Sequence, residues 1–537
     1  MTTHWNKTWE QALSVDNNQI EKIAKELNRS SLFVEICLQR GLKTTNEIKE
    51  FLTIDENDFH DPFLINDMDK GIERIVDAIE TNEKITIYGD YDADGISSTA
   101  LLYETLDSIG ANIDYYLPNR FIEGYGPDIT AFDKIIDEGT NLIITVDNGV
   151  TGHEAIRFAQ EKKVDVIITD HHALPENLPE AYAVIHPAHP NGNYPFPDLA
   201  GVGVAFKLAT ALLGELPVEL LDLAAIGTVS DLVSLKGENR AIVHFGLQKM
   251  QTTQRLGLQE LFQVISIEAQ EVDEDTIGFQ IGPRLNAIGR LGDANPGVEL
   301  LTSHNLPRVK ELAEFTDNKN LERKSIVEEM TNQAFEKLEK KDAKNDPSEI
   351  ILLADENWHE GVLGIVASRI VEKTQKATML FTINSETSVA KGSARSVEGV
   401  NLFQALSTIE DLLISFGGHE MAAGMSAEIG QLASIEEKLS SYVKTIKPDD
   451  KIQLVDAFVD LKNLSIETIK ELESLRPYGT DNTKPLIASS DVSVVQNRTV
   501  GLEGNHLKLR VVQDEESLDI ISFRNGELSN YLFNQQI

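Results

Sequence analysis

One cysteine in 537 residues, Cys37, leaves no internal disulfide framework and no cysteine-rich zinc site to be built. The scarcity fits a reducing compartment, and any metal must be held by oxygen and imidazole. Long apolar runs are missing too: nothing approaches the ~18 uninterrupted residues that cross a bilayer. The start MTTHWNKTWEQALS has no basic segment leading into an apolar core. A soluble, cytoplasmic protein with no membrane partner is expected. Positive charge is the third deficit, with 48 Lys and Arg against 87 Asp and Glu for a formal charge of −39. Such a chain has no broad basic face and repels a polyanion at long range. Contact with nucleic acid therefore requires a local positive site. There bound cations and a few arginines dominate, while salt screens the rest beyond ~8–10 Å. Internal repeats and long low-complexity tracts are also absent.

What is present is a chain long enough for several packed domains. From residue 84 to about 235, β-branched runs alternate with helical periods: KITIYGD then ISSTALLYETLDSIG, IDYYLPN, NLIITVD then GHEAIRFAQEKK, and VDVIITD. Near-continuous apolar strands between amphipathic helices predict an α/β domain whose parallel sheet is covered on both faces. The expected divisions are a helical N-terminal region over 1–83, a catalytic α/β domain over 84–302 and connecting helices over 303–345. A smaller α/β domain over 346–448 and a β domain over 449–537 complete the chain. In the first region TTNEIKEFL opens with a capping-box pattern from Thr44 to Glu47. Residues 303–342 are rich in Glu, Lys, Leu and Ala, and predict one or two long helices. The last region reads as short strands, suggesting a small β-barrel.

Three of the apolar runs end in aspartate: Asp90, Asp147 and Asp170. Carboxylates thus collect at the carboxyl ends of parallel strands, where open α/β sheets place their ligand crevice. The stretch DYDADG crowds Asp90, Asp92 and Asp94 at alternate positions. It also resembles the opening of a calcium loop, which needs a bidentate glutamate at its twelfth position and flanking helices. Counting from Asp90 that position is Leu101, and a strand precedes the run, so the calcium loop fails. Alternate side chains at a strand end face the same way, and clustered carboxylates repel one another unless cations or protons neutralise them. An acidic turn in solvent explains one or two such residues; three at the mouth of a buried strand point to metal. VDNG adds Asp147, DHH adds Asp170, His171 and His172, and GTVSDLV adds Asp231. Imidazole beside strand-end carboxylates suits Mn²⁺ or Mg²⁺. The charges of Asp92, Asp94, Asp147 and Asp231 balance two divalent cations.

The ordered motifs DYDADG, VDNG, DHH and GTVSDLV resemble those of the DHH phosphoesterase superfamily. With LPNRFIEGYG, GPRLNAIGRLGDA, GSARS and FGGHEMAAG, the chain is similar to the single-stranded-DNA-specific 5′→3′ exonuclease branch of that superfamily. The resemblance implies a DHH domain, a DHHA1 domain and a C-terminal OB-like barrel. It implies two-metal phosphodiester hydrolysis, in DNA repair and recombination, with single-stranded DNA as substrate and a single-strand-binding protein and a helicase as partners. It assigns Asp92, Asp94, Asp147, His171 and Asp231 as metal ligands, Asp147 bridging both ions. Asp90 and Asp170 become their supporting neighbours, Asp90 close enough to touch a metal, and His172 contacts the phosphate. Arg120, Arg290 and Arg395 clamp the 5′-phosphate and nearby backbone, as guanidinium does bidentately. In the DHHA1 signature GGHEMAAG, Gly417 and Gly418 admit a phosphate or sugar to backbone N–H groups, with His419 as donor; alone, the stretch reads as a tight turn before a helix. The chain stops at NYLFNQQI before a five-stranded barrel would close, so a fragment or a shortened relative is expected. Two other readings accompany this one. A phosphodiesterase of short oligonucleotides or cyclic dinucleotides would be shorter and lack PNRFIEGYG, and a non-catalytic replication scaffold would have lost the metal ligands.

Overall fold

A computed structural model describes residues 8–11, 13, 15–342, 348–446 and 452–533. The chain divides into two compact units, one formed by residues 59–449 and the other by 3–58 together with 450–537. The expected N-terminal region of 1–83 is thus split at residue 58. No helix among the described residues is long and apolar enough to cross a membrane.

The first unit opens with a five-stranded parallel sheet: β1 (Lys84–Tyr88), β2 (Asn112–Tyr116), β3 (Leu142–Val146), β4 (Asp165–Thr169) and β5 (Ala183–Ile185), in the order β2-β1-β3-β4-β5. Successive side chains go to opposite faces, and both faces are apolar. Ile85, Ile87, Leu142, Ile144 and Ile167 join the large core, while Tyr88, Ile143, Val166 and Ile168 join a smaller core on the other side. The strand order reverses between β1 and β3, a topological switch point where ligands bind beyond the strand ends.

Four helices bear on that crevice: α1 (Ala93–Ser108), α2 (Gly201–Leu213), α3 (Leu221–Ser230) and α4 (Gly282–Leu291). A single helix of 37 residues, α5 (Leu306–Asp342), then runs to the second domain. Pro307 lies in its first turn, where a missing N–H costs nothing. The second domain holds β6 (Ile351–Asp355), α6 (Leu363–Thr374), β7 (Thr378–Asn384), β8 (Val389–Arg395), β9 (Ser415–Gly418) and β10 (Ala422–Glu428). Its sheet order is β9-β10-β8-β7-β6, parallel between β6 and β7 and antiparallel elsewhere. GGHEMAAG is therefore a β-hairpin, and strand rather than helix comes after its turn.

In the second unit, helices Asn17–Leu27, Ser31–Gln39 and Thr45–Leu52 share one core with Ala457, Val459, Leu472 and Leu475. Thr44 and Glu47 form the capping box. Later in the chain comes an antiparallel sheet of Ser493–Val500, His506–Gln513 and Glu516–Ser522, and it does not close into a barrel among the described residues.

Candidate active site

The crevice gathers its carboxylates by local rules. Asp92 caps α1, its Oδ1 accepting from Asp94 N–H at 2.9 Å and Gly95 N–H at 3.0 Å. Asp94, one turn in, accepts at 2.8 and 2.9 Å from Gly201 N–H and Val202 N–H, the first amides of α2. Asp147 comes directly after β3 in a left-handed conformation, φ 62°. The next residue, Asn148, donates from its amide to Gly89 C=O and Val146 C=O, both at 2.9 Å, tying the end of β1 to that of β3. Asp231 ends α3. Two glycines let these groups approach: a Cβ on Gly201 would stand 2.5 Å from Asp147 Oδ1, and one on Gly227 would overlap Asp94.

The result is one cluster. His171 Nε2 lies 3.2 Å from Asp147, 3.6 Å from Asp231 and 4.0 Å from Asp94. Ligand atoms of Asp94, His171 and Asp231 come within 4.8 Å of one another, as do those of Asp90, Asp92 and Asp147, and those of Asp147, His171 and His172. Asp170 stands behind: its carboxylate accepts from the backbone N–H groups of Val150, His171 and His172, and meets His172 Nδ1 at 2.8 Å. Tyr125, from LPNRFIEGYG, donates to Asp147 C=O at 3.1 Å and reaches the His172 ring at 2.9 Å.

Protonation is set by burial and crowding. Burial, then the charge of Asp92, raises Asp94 to about 7; burial, then Asp94 and Asp92, raises Asp231 to about 8. Asp90 and Asp147 are driven upward by the same two causes. Burial opposes charge on His172, but its hydrogen bond to Asp170 and that carboxylate's charge outweigh burial and lift it to about 9. His171 is pushed down to about 4 by burial and by His172. A neutral imidazole therefore faces carboxylates that are costly to charge. Asp90 Oδ1, Asp147 Oδ1 and His171 Nε2 are buried without a hydrogen-bond partner. Buried polar atoms are ordinarily satisfied, and these converge as oxygen and nitrogen donors. A hard divalent cation fits them.

Beside the aspartates is a cationic cluster. Arg120 lies over the Tyr91 ring at 4.1 Å with its Nε unpartnered. Arg290 donates to Gly361 C=O at 3.1 Å, linking α4 to the second domain, and is pushed down to about 10 by burial and by Arg120, with Arg323 and Arg395 adding to the effect. Arg323, on α5, also has an unpartnered buried Nε. Arg395 is held by Ser393 Oγ and Ala394 C=O at 3.1 and 2.8 Å. Register pairs Arg395 with Ala422, so Gly418 and His419, at the exposed hairpin turn, share its end of the sheet. Gly417 is exposed on β9, and no hydrogen bond or ion pair among the described residues ties these three to the aspartates. Sequence reasoning passed over Gly201, Gly227, Tyr125, Arg323 and Asn286, whose Oδ1 accepts from Ala93 N–H at 3.1 Å. The glycines inside the helical runs AGVGVAF and AAIGTVSD were the available signal.

Family models match along the chain: the DHH family N-terminal domain over residues 84–228, the DHHA1 domain over 348–445 and the RecJ OB domain over 455–537. The chain is 42% identical over 516 residues to the single-stranded-DNA-specific exonuclease RecJ of Bacillus subtilis, covering 96% of this chain and 65% of that protein. It is 34% identical to the Haemophilus influenzae protein of the same name, covering 93% of this chain and 90% of the relative. The crystal structure of RecJ in complex with Mn²⁺ from Thermus thermophilus matches with a TM-score of 0.83 at 27% identity, over 98% of this chain and 75% of that one. The Mg²⁺ complex from the same organism matches with a TM-score of 0.75 at 26% identity, over 97% and 73%.

Proposed function

The chain belongs to the RecJ family, and from that premise we propose that it is a metal-dependent exonuclease removing nucleotides from the 5′ end of single-stranded DNA in repair and recombination. The observation that carries this reading is that Asp147 Oδ1, Asp90 Oδ1 and His171 Nε2 are all buried and unsatisfied in a crevice at the sheet's switch point, Asp147 being grouped with Asp90 on one side and with His171 on the other. Asp92, Asp94, Asp147, His171 and Asp231 would hold two divalent cations, Mn²⁺ or Mg²⁺, with Asp90 alongside. Bound there, such ions would supply a lowered pKa for a water and positive charge for the phosphate and the leaving oxygen.

The protein's own groups do the rest. Asp170 keeps His172 protonated near neutral pH, so a fixed positive charge is available to a phosphate oxygen as negative charge grows. Tyr125 limits where that imidazole can swing. Arg120, Arg290 and Arg395 hold the terminal 5′-phosphate, and the Gly417–Gly418–His419 turn offers backbone and imidazole donors at Arg395's end of the sheet. Orienting the strand by its end makes the cut exonucleolytic. A reducing cytoplasm is the expected setting, and a single-strand-binding protein and a helicase are the expected partners.

The test is hydrolysis by purified protein with Mn²⁺, offered 5′-labelled single strands, duplexes and cyclic dinucleotides. Mononucleotides released from single strands alone support the reading. Release from cyclic dinucleotides alone would replace it with a small-molecule phosphodiesterase. Inertness toward every phosphodiester despite bound metal would leave a scaffold.

A further inference from the structure

Between Val272 and Leu291 only one residue is exposed, and it is an aromatic: Phe279, at 77%. It sits in a five-residue π-helical turn, Ile277–Ile281, inserted just before α4. Such turns are rare and concentrate at functional sites. Here the insertion turns an apolar ring outward while its neighbours Ile277 and Ile281 are fully buried. Folding gains nothing from a phenylalanine in that position.

The turn's neighbours place it beside the end of α3. Gly278 rests on Val229, with 3.6 Å left for a Cβ, and Gly282 rests on Ser230 at 2.5 Å. Both contacts fall on the end of α3, one and two residues before Asp231. At the other end of the same helical run, Asn286 bonds the Ala93 N–H, Gly289 packs on the Tyr91 carbonyl, and Arg290 joins the arginine cluster. The run therefore lies along the crevice in the order Arg290, Asp92, Asp231, Phe279. The eleven steps from Phe279 to Arg290 span ~16 Å at the helical rise, a few nucleotides of single strand. Leu232, next to Asp231, is 71% exposed.

We propose that Phe279 is a base-stacking platform for a nucleotide on the 3′ side of the scissile bond, a positioning residue for the strand that the arginines hold by its 5′ end. This rests on the exonuclease reading. Every base has a π-face, so the contact is indifferent to sequence, as a nuclease that digests any strand requires.

The experiment measures kcat and KM with Mn²⁺ on 5′-phosphorylated oligodeoxynucleotides in which one abasic site is walked through the first five nucleotides. Phe279→Ala is expected to raise KM about tenfold on the intact strand and to leave kcat within about twofold. Phe279→Trp restores KM. At one position the abasic site raises KM for the unsubstituted protein but not for Phe279→Ala, a cancellation that a merely structural role would not give. Melting temperature should be unchanged in both variants. An unaltered KM in Phe279→Ala, or an abasic penalty equal in both proteins at every position, overturns the platform while leaving the exonuclease intact. Absence of strand cleavage by the unsubstituted protein overturns the reading of the active centre and the platform with it.

Discussion

Asp147 has a left-handed backbone that asparagine adopts more readily than alanine does. Asp147→Asn therefore removes the shared charge while keeping shape and conformation. Losing an outer partner of a metal ligand costs about 10–100-fold, and losing a carboxylate that belongs to two of the three candidate metal groups should cost more. Hydrolysis is expected to fall at least about a hundredfold, read in a turnover assay, with melting temperature held or raised because like charges have been thinned. Asp170→Asn acts through His172. Without that carboxylate the imidazole returns from about 9 toward its ordinary range, and activity should decline as pH rises through ~7, where the native enzyme holds steady. A pH–rate profile of the two proteins decides it. In the other compact unit, Cys37 is fully buried and pushed up to about 12 by that burial. It should resist alkylation at pH 8 until the protein is unfolded, as mass spectrometry would record.

At the scale of elements, two helices are kept bare where they meet the aspartates. Gly227 lies inside α3, where alanine would gain up to ~1 kcal/mol of helix propensity. Its Cβ would collide with Asp94, which Gly201 N–H and Val202 N–H hold in place. Overpacking at ~1–3 kcal/mol outweighs that gain. Gly227→Ala and Gly201→Ala are both expected to lower melting temperature and weaken Mn²⁺ binding, measured by thermal shift against metal concentration. These contacts join α1, α2 and α3, and no local pattern announces them. The ends of β1, β3 and β4, the capping box at Thr44 and the long helix α5 were legible because periodicity and caps act within a few residues. The Asn148 bridge to Gly89, the Asn286 cap on α1 and the placing of Arg323 beside Arg290 are tertiary facts. The N-terminal helices read correctly as helices, yet their packing against Ala457 and Leu475 depends on residues some four hundred positions away. The hairpin at GGHEMAAG was hidden by its glycines, which signal a turn but do not distinguish a strand from a helix beyond it.

For the whole molecule, charge is the governing quantity. Asp94 and Asp231 have folded-state values near 7 and 8, above the ordinary 3.8. For carboxyls raised in this way, the stabilising contribution is full below the unfolded value and is lost as pH rises through the folded one. Protein stripped of metal should therefore melt at lower temperature at pH 8 than at pH 6. Asp231→Asn should flatten that decline, and Mn²⁺ should reverse it; calorimetry at the two pH values tests the sign. The formal charge of −39 makes the arginine cluster an island. If Arg120, Arg290, Arg323 and Arg395 each neutralise one phosphate, at ~0.7 counterion apiece, log KM should rise against log salt with a slope of only about 3.

The island has a cost in turnover. The charges of Arg120, Arg323 and Arg395 bear on Arg290 with Asp92 countering them, and a mononucleotide released by the proposed reaction would carry the same 5′-phosphate as the strand from which it was cut. Each cycle thus leaves behind a competitor for its own starting position. Product inhibition, strongest for nucleoside 5′-monophosphates and absent for nucleosides, is the expected signature of guanidinium groups crowded together with so little to quiet them.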